Sequence, residues 1–148
     1  EYRVVVSGRV DDPRIPGDLP DILNEVEIKT RDNSRGVLNI CFNYGGWTEM
    51  AQAVKKVLEK NIEPEQVHEG LIRKYMYHAE LGDLDILIRT GGEKRLSGFM
   101  PLQVTYAELF FMDKYWPDFE ETDAEKILID YRSRERRMGG DSTLTGKS

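Results

Sequence analysis

Leu84-Asp85-Ile86-Leu87-Ile88-Arg89-Thr90-Gly91-Gly92 is a short, nearly continuous apolar run that stops at an arginine and two glycines. A run of that length bounded by turn residues reads as a strand buried on both faces, the kind parallel sheets contain. Ligands of such sheets collect beyond the carboxyl ends of the strands, which is where the residues after Ile88 fall. Arg3-Val4-Val5-Val6 also reads as a buried strand that runs into Ser7-Gly8-Arg9, and Asp11 to Pro20 is a loop punctuated by Pro and Gly. Pro20 suits a first helical turn, with Ile22, Leu23 and Val26 at helical spacing. A turn at Asn33-Ser34-Arg35-Gly36 leads to a second buried strand, Val37 to Phe42, ended by Asn43-Tyr44-Gly45-Gly46. Met50, Ala53, Val54, Val57 and Leu58 then make one apolar helical stripe, and a short helix after Pro64 turns Val67, Leu71 and Tyr75 inward. Tyr106 to Met112 is a fourth candidate strand. The last helix is expected to begin at Thr122, in a Thr122-x-x-Glu125 capping box, to bury Ala124, Ile127, Leu128 and Tyr131, and to stop at Gly139. Strands alternating with helices predict an α/β fold, a mostly parallel sheet flanked by helices.

The chain has 148 residues, 39% hydrophobic and 32% charged, with a mean hydropathy of −0.55, which suits one domain over residues 1–140 and a polar, disordered tail at 141–148. Its one cysteine, Cys41, excludes an intramolecular disulfide framework and fits a reducing compartment. No apolar run approaches the ~20 residues that span a bilayer. Twenty-one basic against 27 acidic side chains leave a net charge of −6, which argues against a nucleic-acid binder but not against a local anion site. Residue 1 is Glu rather than Met, so a processed, trimmed or fragmentary chain is expected.

Two strand ends carry residues suited to anions. Gly45 and Gly46 let backbone N–H groups approach an anion at a helix N-terminus, although a tight strand-to-helix turn needs glycine for backbone reasons alone. The second end, Arg89-Thr90-Gly91-Gly92-Glu93-Lys94-Arg95-Leu96-Ser97-Gly98-Phe99, sets two arginines, a lysine and two hydroxyls around a Gly-Gly loop. Guanidinium forks take phosphate oxygens in pairs and hydroxyls add neutral donors, so this loop suits a di-anionic or tri-anionic head group; Glu93 would orient an arginine or bridge to a neighbouring subunit. Arg132, Arg134, Arg136 and Arg137 at a helix end either complement the helix dipole or, through Arg137, reach the same anion. Glu108, Asp85 and Asp113 are candidate Mg²⁺ ligands whose spacing demands no metal. His68 and His78 read as surface residues, no nucleophile elbow or Walker pattern is present, and Cys41 in a strand reads as inert packing.

Asn43-Tyr44-Gly45-Gly46, Asp85-x-x-Ile88-Arg89-Thr90-x-Gly92-Glu93-x-Arg95-Leu96-Ser97-x-Phe99, Gln103, Tyr106-x-Glu108-Leu109, Trp116-Pro117-Asp118-Phe119 and Arg134-Glu135-Arg136-Arg137-x-Gly139-Gly140 together resemble the cis-prenyltransferases, the undecaprenyl diphosphate synthase-like family, over nearly the whole chain. The resemblance implies an enzyme that adds isopentenyl diphosphate to an allylic diphosphate such as farnesyl diphosphate, with Mg²⁺. It implies Arg89, Arg95 and Ser97 as ligands of the isopentenyl diphosphate head group and Glu108 as the Mg²⁺-associated carboxylate. It further implies Arg137 and Gly139 as a C-terminal element reaching that diphosphate, often across a dimer interface, and Asn43 as a residue lining the active site. A homodimer, or a heterodimer with a related subunit in which this chain is non-catalytic or regulatory, follows from the same likeness. So does a cytoplasmic location, peripheral to the membrane that receives the lipid product. The family's Asp-Gly-Asn segment, which binds the allylic diphosphate and its Mg²⁺, does not occur in these 148 residues. An incomplete cis-prenyltransferase-type fold is therefore expected, a C-terminal part without that Asp or the product-tunnel wall. Trp47 stands where many members have Arg, and Pro101-Leu102 replaces a common Leu-Trp pair.

Overall fold

Arg3–Ser7 (β1), rich in β-branched residues, pairs in parallel with Val37–Cys41 (β2), with Arg3 opposite Val37 and Ser7 opposite Cys41. In the computed structural model, which describes residues 1–134, the helix between them is Leu19–Thr30 (α1), with Pro20 in its first turn as its preset φ favours. Because β1 pairs through alternate residues, the N–H groups of Val4 and Val6 point to its other edge. Thr30 Oγ1 and Glu27 Oε1 of α1 accept them at 2.9 and 2.8 Å, which satisfies donors an open edge would leave bare. The sheet is followed by Gly46–Glu59 (α2) and the short Glu69–Lys74 (α3), and α2 packs on α3. Val5, Ala53, Val57 and Met76 are the buried apolar residues of this unit, which comprises residues 1–82 with Gly98–Met100.

The second compact unit takes residues 83–97 and, among the described residues, 101–134. Here Ile86–Arg89 (β3) pairs in parallel with Glu108–Phe111 (β4), Ile86 opposite Glu108 and Arg89 opposite Phe111. Leu87, Val104 and Ile127 are buried, the last from Glu121–Ser133 (α4). The α/β class and the parallel pairing agree with the sequence pattern.

Several local expectations are corrected. β2 is not buried: Val37, Leu38 and Ile40 are 43%, 53% and 39% exposed, because a two-stranded sheet with β1 as the partner leaves the apolar side chains of β2 uncovered among the described residues. The α2 stripe is rotated, with Glu49, Ala53 and Val57 inward and Val54 and Leu58 outward. Val67 and Leu128 are exposed rather than inward, and Tyr106 lies before the strand, which begins at Glu108. The capping box of α4 is formed by Glu120 and Asp123, not Thr122 and Glu125. Asp123 Oδ2 accepts the Glu120 N–H at 2.9 Å and Lys114 Nζ at 2.7 Å, so a paired carboxylate already sits over the N-terminal N–H groups and the helix starts earlier. His78 is not a free surface residue: its ring Nε2 lies 3.1 Å from the Val6 carbonyl oxygen. α4 does not run on to Gly139: it ends at Ser133, where Arg134 turns to an extended conformation. The tail at 141–148 lies outside the described residues.

The ionisable groups give this fold a defined pH window. The hydrogen bond from Arg14 holds Asp12 well below the usual carboxylate range, while that from Lys114 lowers Asp123 and that from Arg134 lowers Asp130. Burial, then the hydrogen bond to Glu49, pushes the Tyr44 phenol far above its ordinary value. Depressed carboxylates stabilise the fold above their unfolded value, about 4, and that contribution is lost as pH falls through the folded value. A raised phenol acts oppositely: its contribution is present below about 10 and is lost as pH rises beyond it. Thermal melting is therefore expected to be flat between about pH 5 and 9 and to fall on both sides. A melting temperature unchanged down to pH 3 would contradict this.

Candidate diphosphate site

Arg89 is the last residue of β3, and its Nη1 donates to the Arg95 carbonyl oxygen and, at 3.1 Å, to Ser97 Oγ. Those two bonds fold the intervening loop back over the strand end. Gly91 and Gly92 adopt φ of +88° and +78°, which glycine tolerates without a Cβ penalty, and their N–H groups donate to the carbonyls of Lys114 and Met112 at 2.9 and 2.8 Å. Ser97 itself takes a left-handed φ of +50°, a costly conformation for a residue with a Cβ and one that holds its hydroxyl at Arg89. Arg89 and Ser97 are thus brought together as the sequence reading expected. The Arg95 side chain is not turned to Arg89: it is well exposed and pairs with Glu93.

Glu108 opens β4, and its Oε2 accepts a hydrogen bond from Arg134 Nη1 at 2.6 Å. The Asp85 carboxylate accepts from Tyr131 OH at 3.2 Å, and among the described residues no three His, Cys, Asp or Glu side chains form a metal-holding group. Arg137 and Gly139 lie outside the described residues.

In the other unit, Asn43 follows β2 with a left-handed φ of +46°, and its Nδ2 donates to the Arg9 carbonyl at 3.0 Å. It lines a cleft of about 410 Å³ with Asp12, Arg14, Ile15, Pro16 and Phe42. Gly8 is required beside it, since a Cβ there would stand 1.8 Å from the Phe42 carbonyl oxygen. Trp47, in the first turn of α2, is 76% exposed. Sequence reading missed Glu49, a carboxylate only 2% exposed that accepts Tyr44 OH at 2.5 Å and the Tyr77 N–H at 2.9 Å. Its one signal was a glutamate placed on the apolar side of a helix immediately after the Asn-Tyr-Gly-Gly turn. The Cys41 thiol is pushed up by burial and by the nearby Glu49 charge, which fits inert packing.

Residues 1–139 match the prenyltransferase family model for undecaprenyl diphosphate synthase. Among curated relatives, a tritrans,polycis-undecaprenyl-diphosphate synthase (geranylgeranyl-diphosphate specific) of Thermococcus kodakarensis is 43% identical over 93% of this chain and 53% of its own length. A ditrans,polycis-undecaprenyl-diphosphate synthase ((2E,6E)-farnesyl-diphosphate specific) of Escherichia coli K12 is 40% identical over 88% of this chain and 53% of its own. The chain therefore spans about half the length of the curated relatives it matches. Among solved structures, a probable undecaprenyl diphosphate synthase from Campylobacter jejuni superposes with a TM-score of 0.83 at 28% identity, covering 93% of this chain and 63% of that one. Lavandulyl diphosphate synthase from Lavandula x intermedia, in complex with dimethylallyl diphosphate, gives 0.80 at 28%, covering 91% and 59%.

Proposed function

Because the chain belongs to the undecaprenyl diphosphate synthase family of prenyltransferases, we propose that it is the isopentenyl-diphosphate-binding portion of a cis-prenyl (polyprenyl diphosphate) synthase. The observation that carries this reading is the convergence of the Arg89 guanidinium and the Ser97 hydroxyl at the carboxyl end of a parallel strand, over a Gly91-Gly92 turn. A guanidinium presents five donors in a plane; with Nη1 on the loop, the fork is preset for phosphate oxygens, and Ser97 adds a neutral donor. Arg95, paired with Glu93 at the surface, adds positive charge once that pair opens onto an incoming diphosphate.

Elongation breaks the allylic C–O bond, and diphosphate leaves with the electron pair. The alkene of isopentenyl diphosphate then supplies electrons to the allylic carbon, and a proton is lost from the resulting cation. No covalent protein intermediate is needed. Arg89, Ser97 and Arg95 contribute by anchoring the head group, which holds the alkene at attack distance from the allylic carbon. Asn43 is proposed, from the family likeness alone, as an active-site residue.

Mg²⁺ keeps water and phosphate ligands and takes one or two protein carboxylates, and Glu108, a partly exposed carboxylate, fits that demand. When bound, Mg²⁺ offsets negative charge on diphosphate oxygens. The remaining parts of the proposal are an allylic diphosphate co-substrate such as farnesyl diphosphate, Arg137 and Gly139 as further head-group contacts, and a dimeric enzyme. The setting proposed is cytoplasmic, with product passed to a membrane; no helix among the described residues is long and apolar enough to cross one.

Calorimetric titration of the chain with isopentenyl diphosphate, with a sugar phosphate as comparison, tests this reading. Saturable binding of the isopentenyl compound at micromolar concentration, about tenfold tighter than the sugar phosphate, is expected. Preference for the sugar phosphate would reject it.

A further inference from the structure

The surroundings of Glu108 carry an inference that rests on reading it as the Mg²⁺-associated carboxylate. Arg134 Nη1 donates to Glu108 Oε2 at 2.6 Å, while its Nε and Nη2 donate to the two oxygens of Asp130 at 3.1 and 2.8 Å. The guanidinium carbon lies 4.4 Å from the centre of the Phe110 ring. One cation is thus held by two carboxylates and an aromatic face, and the Glu108 oxygen that faces it is already engaged. A divalent ion on that oxygen would sit against the guanidinium, and like charges at such distances repel strongly.

We propose that Arg134 is the resident counter-cation of Glu108, and that the guanidinium and a divalent cation are alternative occupants of this carboxylate. Asp130 makes the exchange feasible. It lies one helical turn before Arg134 on α4, at the i,i+4 spacing, so its two bonds to the arginine survive when Nη1 leaves Glu108. Phe110 offers the displaced cation a ring face as well. Exchange therefore gives up one charge-assisted hydrogen bond without stranding a charge. With side-chain exposures of 24% and 34%, Glu108 and Arg134 are both reachable from solvent.

The consequence is positional. In the arginine-occupied state Glu108 ties the C-terminal end of α4 to the first residue of β4. In the metal-occupied state that tie is released, and the end of α4 is freed from β4. Arg134 is a positioning residue in this scheme, acting through Glu108.

Mn²⁺ titrated into the full chain and followed by the paramagnetic resonance of the free ion tests the exchange. Glu108→Gln defines which binding depends on this carboxylate. Arg134→Gln is expected to bind Mn²⁺ at the Glu108-dependent site about tenfold tighter than the unaltered chain, since a competitor worth one charge-assisted hydrogen bond is gone. Independently of any variant, saturating Mg²⁺ is expected to raise amide hydrogen exchange at residues 130–134 of the unaltered chain several-fold. Equal Mn²⁺ affinity in both chains at a Glu108-dependent site, or unchanged exchange at saturating Mg²⁺, overturns the exchange and leaves Glu108 as a metal ligand. No Glu108-dependent binding in either chain overturns the metal reading, and the exchange with it.

Discussion

Replacing Arg89 by alanine is expected to weaken isopentenyl diphosphate binding about 100-fold while shifting the melting temperature by no more than about 3 °C. The first figure follows from two hydrogen bonds to a charged phosphate, each worth about 1.5–3 kcal/mol, partly offset by water that refills the space. The second follows from the position of the side chain: it lies at the end of β3 in a solvent-reached loop, where its bonds to the Arg95 carbonyl and Ser97 organise the loop rather than the core. Arg89→Lys is expected to recover only part of the affinity, since an ammonium is a point charge that cannot hold the loop and fork a phosphate together. Ser97→Ala, which removes one neutral donor, is expected to cost about threefold to tenfold. Calorimetry on the three variants measures the series, and an Arg89→Ala affinity equal to that of the unaltered chain would remove Arg89 from the site.

Glu49→Leu is expected to destabilise the chain by about 3 kcal/mol, although the change puts an apolar residue at a buried position. Hydrophobic burial alone predicts a gain. Against it stand the Tyr44 hydroxyl and the Tyr77 N–H, both of which donate to the Glu49 carboxylate and would be left without that acceptor in a buried setting, at about 1–3 kcal/mol each. Tyr44 is also packed by the edge of Phe99, with ring centres 5.8 Å apart, so its release loosens an aromatic contact as well. Glu49→Gln keeps the shape and an acceptor oxygen and is expected to lose about 1 kcal/mol. Denaturant unfolding decides between the effects: a midpoint for Glu49→Leu at or above that of the unaltered chain would show that burial outweighs the two hydrogen bonds.

The sequence exposed the parts of the site that depend on local chemistry. The position of a strand ending in Arg-Thr-Gly-Gly can be read without coordinates, because the apolar run sets the strand and the glycines set a turn that only they adopt cheaply. Its burial cannot: the run predicts a strand buried on both faces, yet Leu87 is buried and Ile88 is 37% exposed. Glu49 was hidden by the same logic, since hydrophobic periodicity assigns every carboxylate to the solvent side and has no means of finding a tyrosine hydroxyl from the preceding turn. The exposure of β2 was hidden because an apolar run states what a strand prefers, not which layers are present to cover it. The α4 cap shifted because Asp123 is held by Lys114, nine positions away, and a Thr-x-x-Glu pattern competes poorly with a carboxylate already paired at the helix start. Arg134 read as a generic helix-end cation; its link to Glu108 spans 26 positions and follows from the tertiary arrangement alone.

A crystal structure of this chain grown with inorganic pyrophosphate would locate the anion relative to Arg89 and Ser97. The account predicts pyrophosphate density within hydrogen-bond distance of the Arg89 guanidinium and the Ser97 hydroxyl, beyond the end of β3. Pyrophosphate bound elsewhere, with the Arg89–Ser97 contact left untouched, would contradict it.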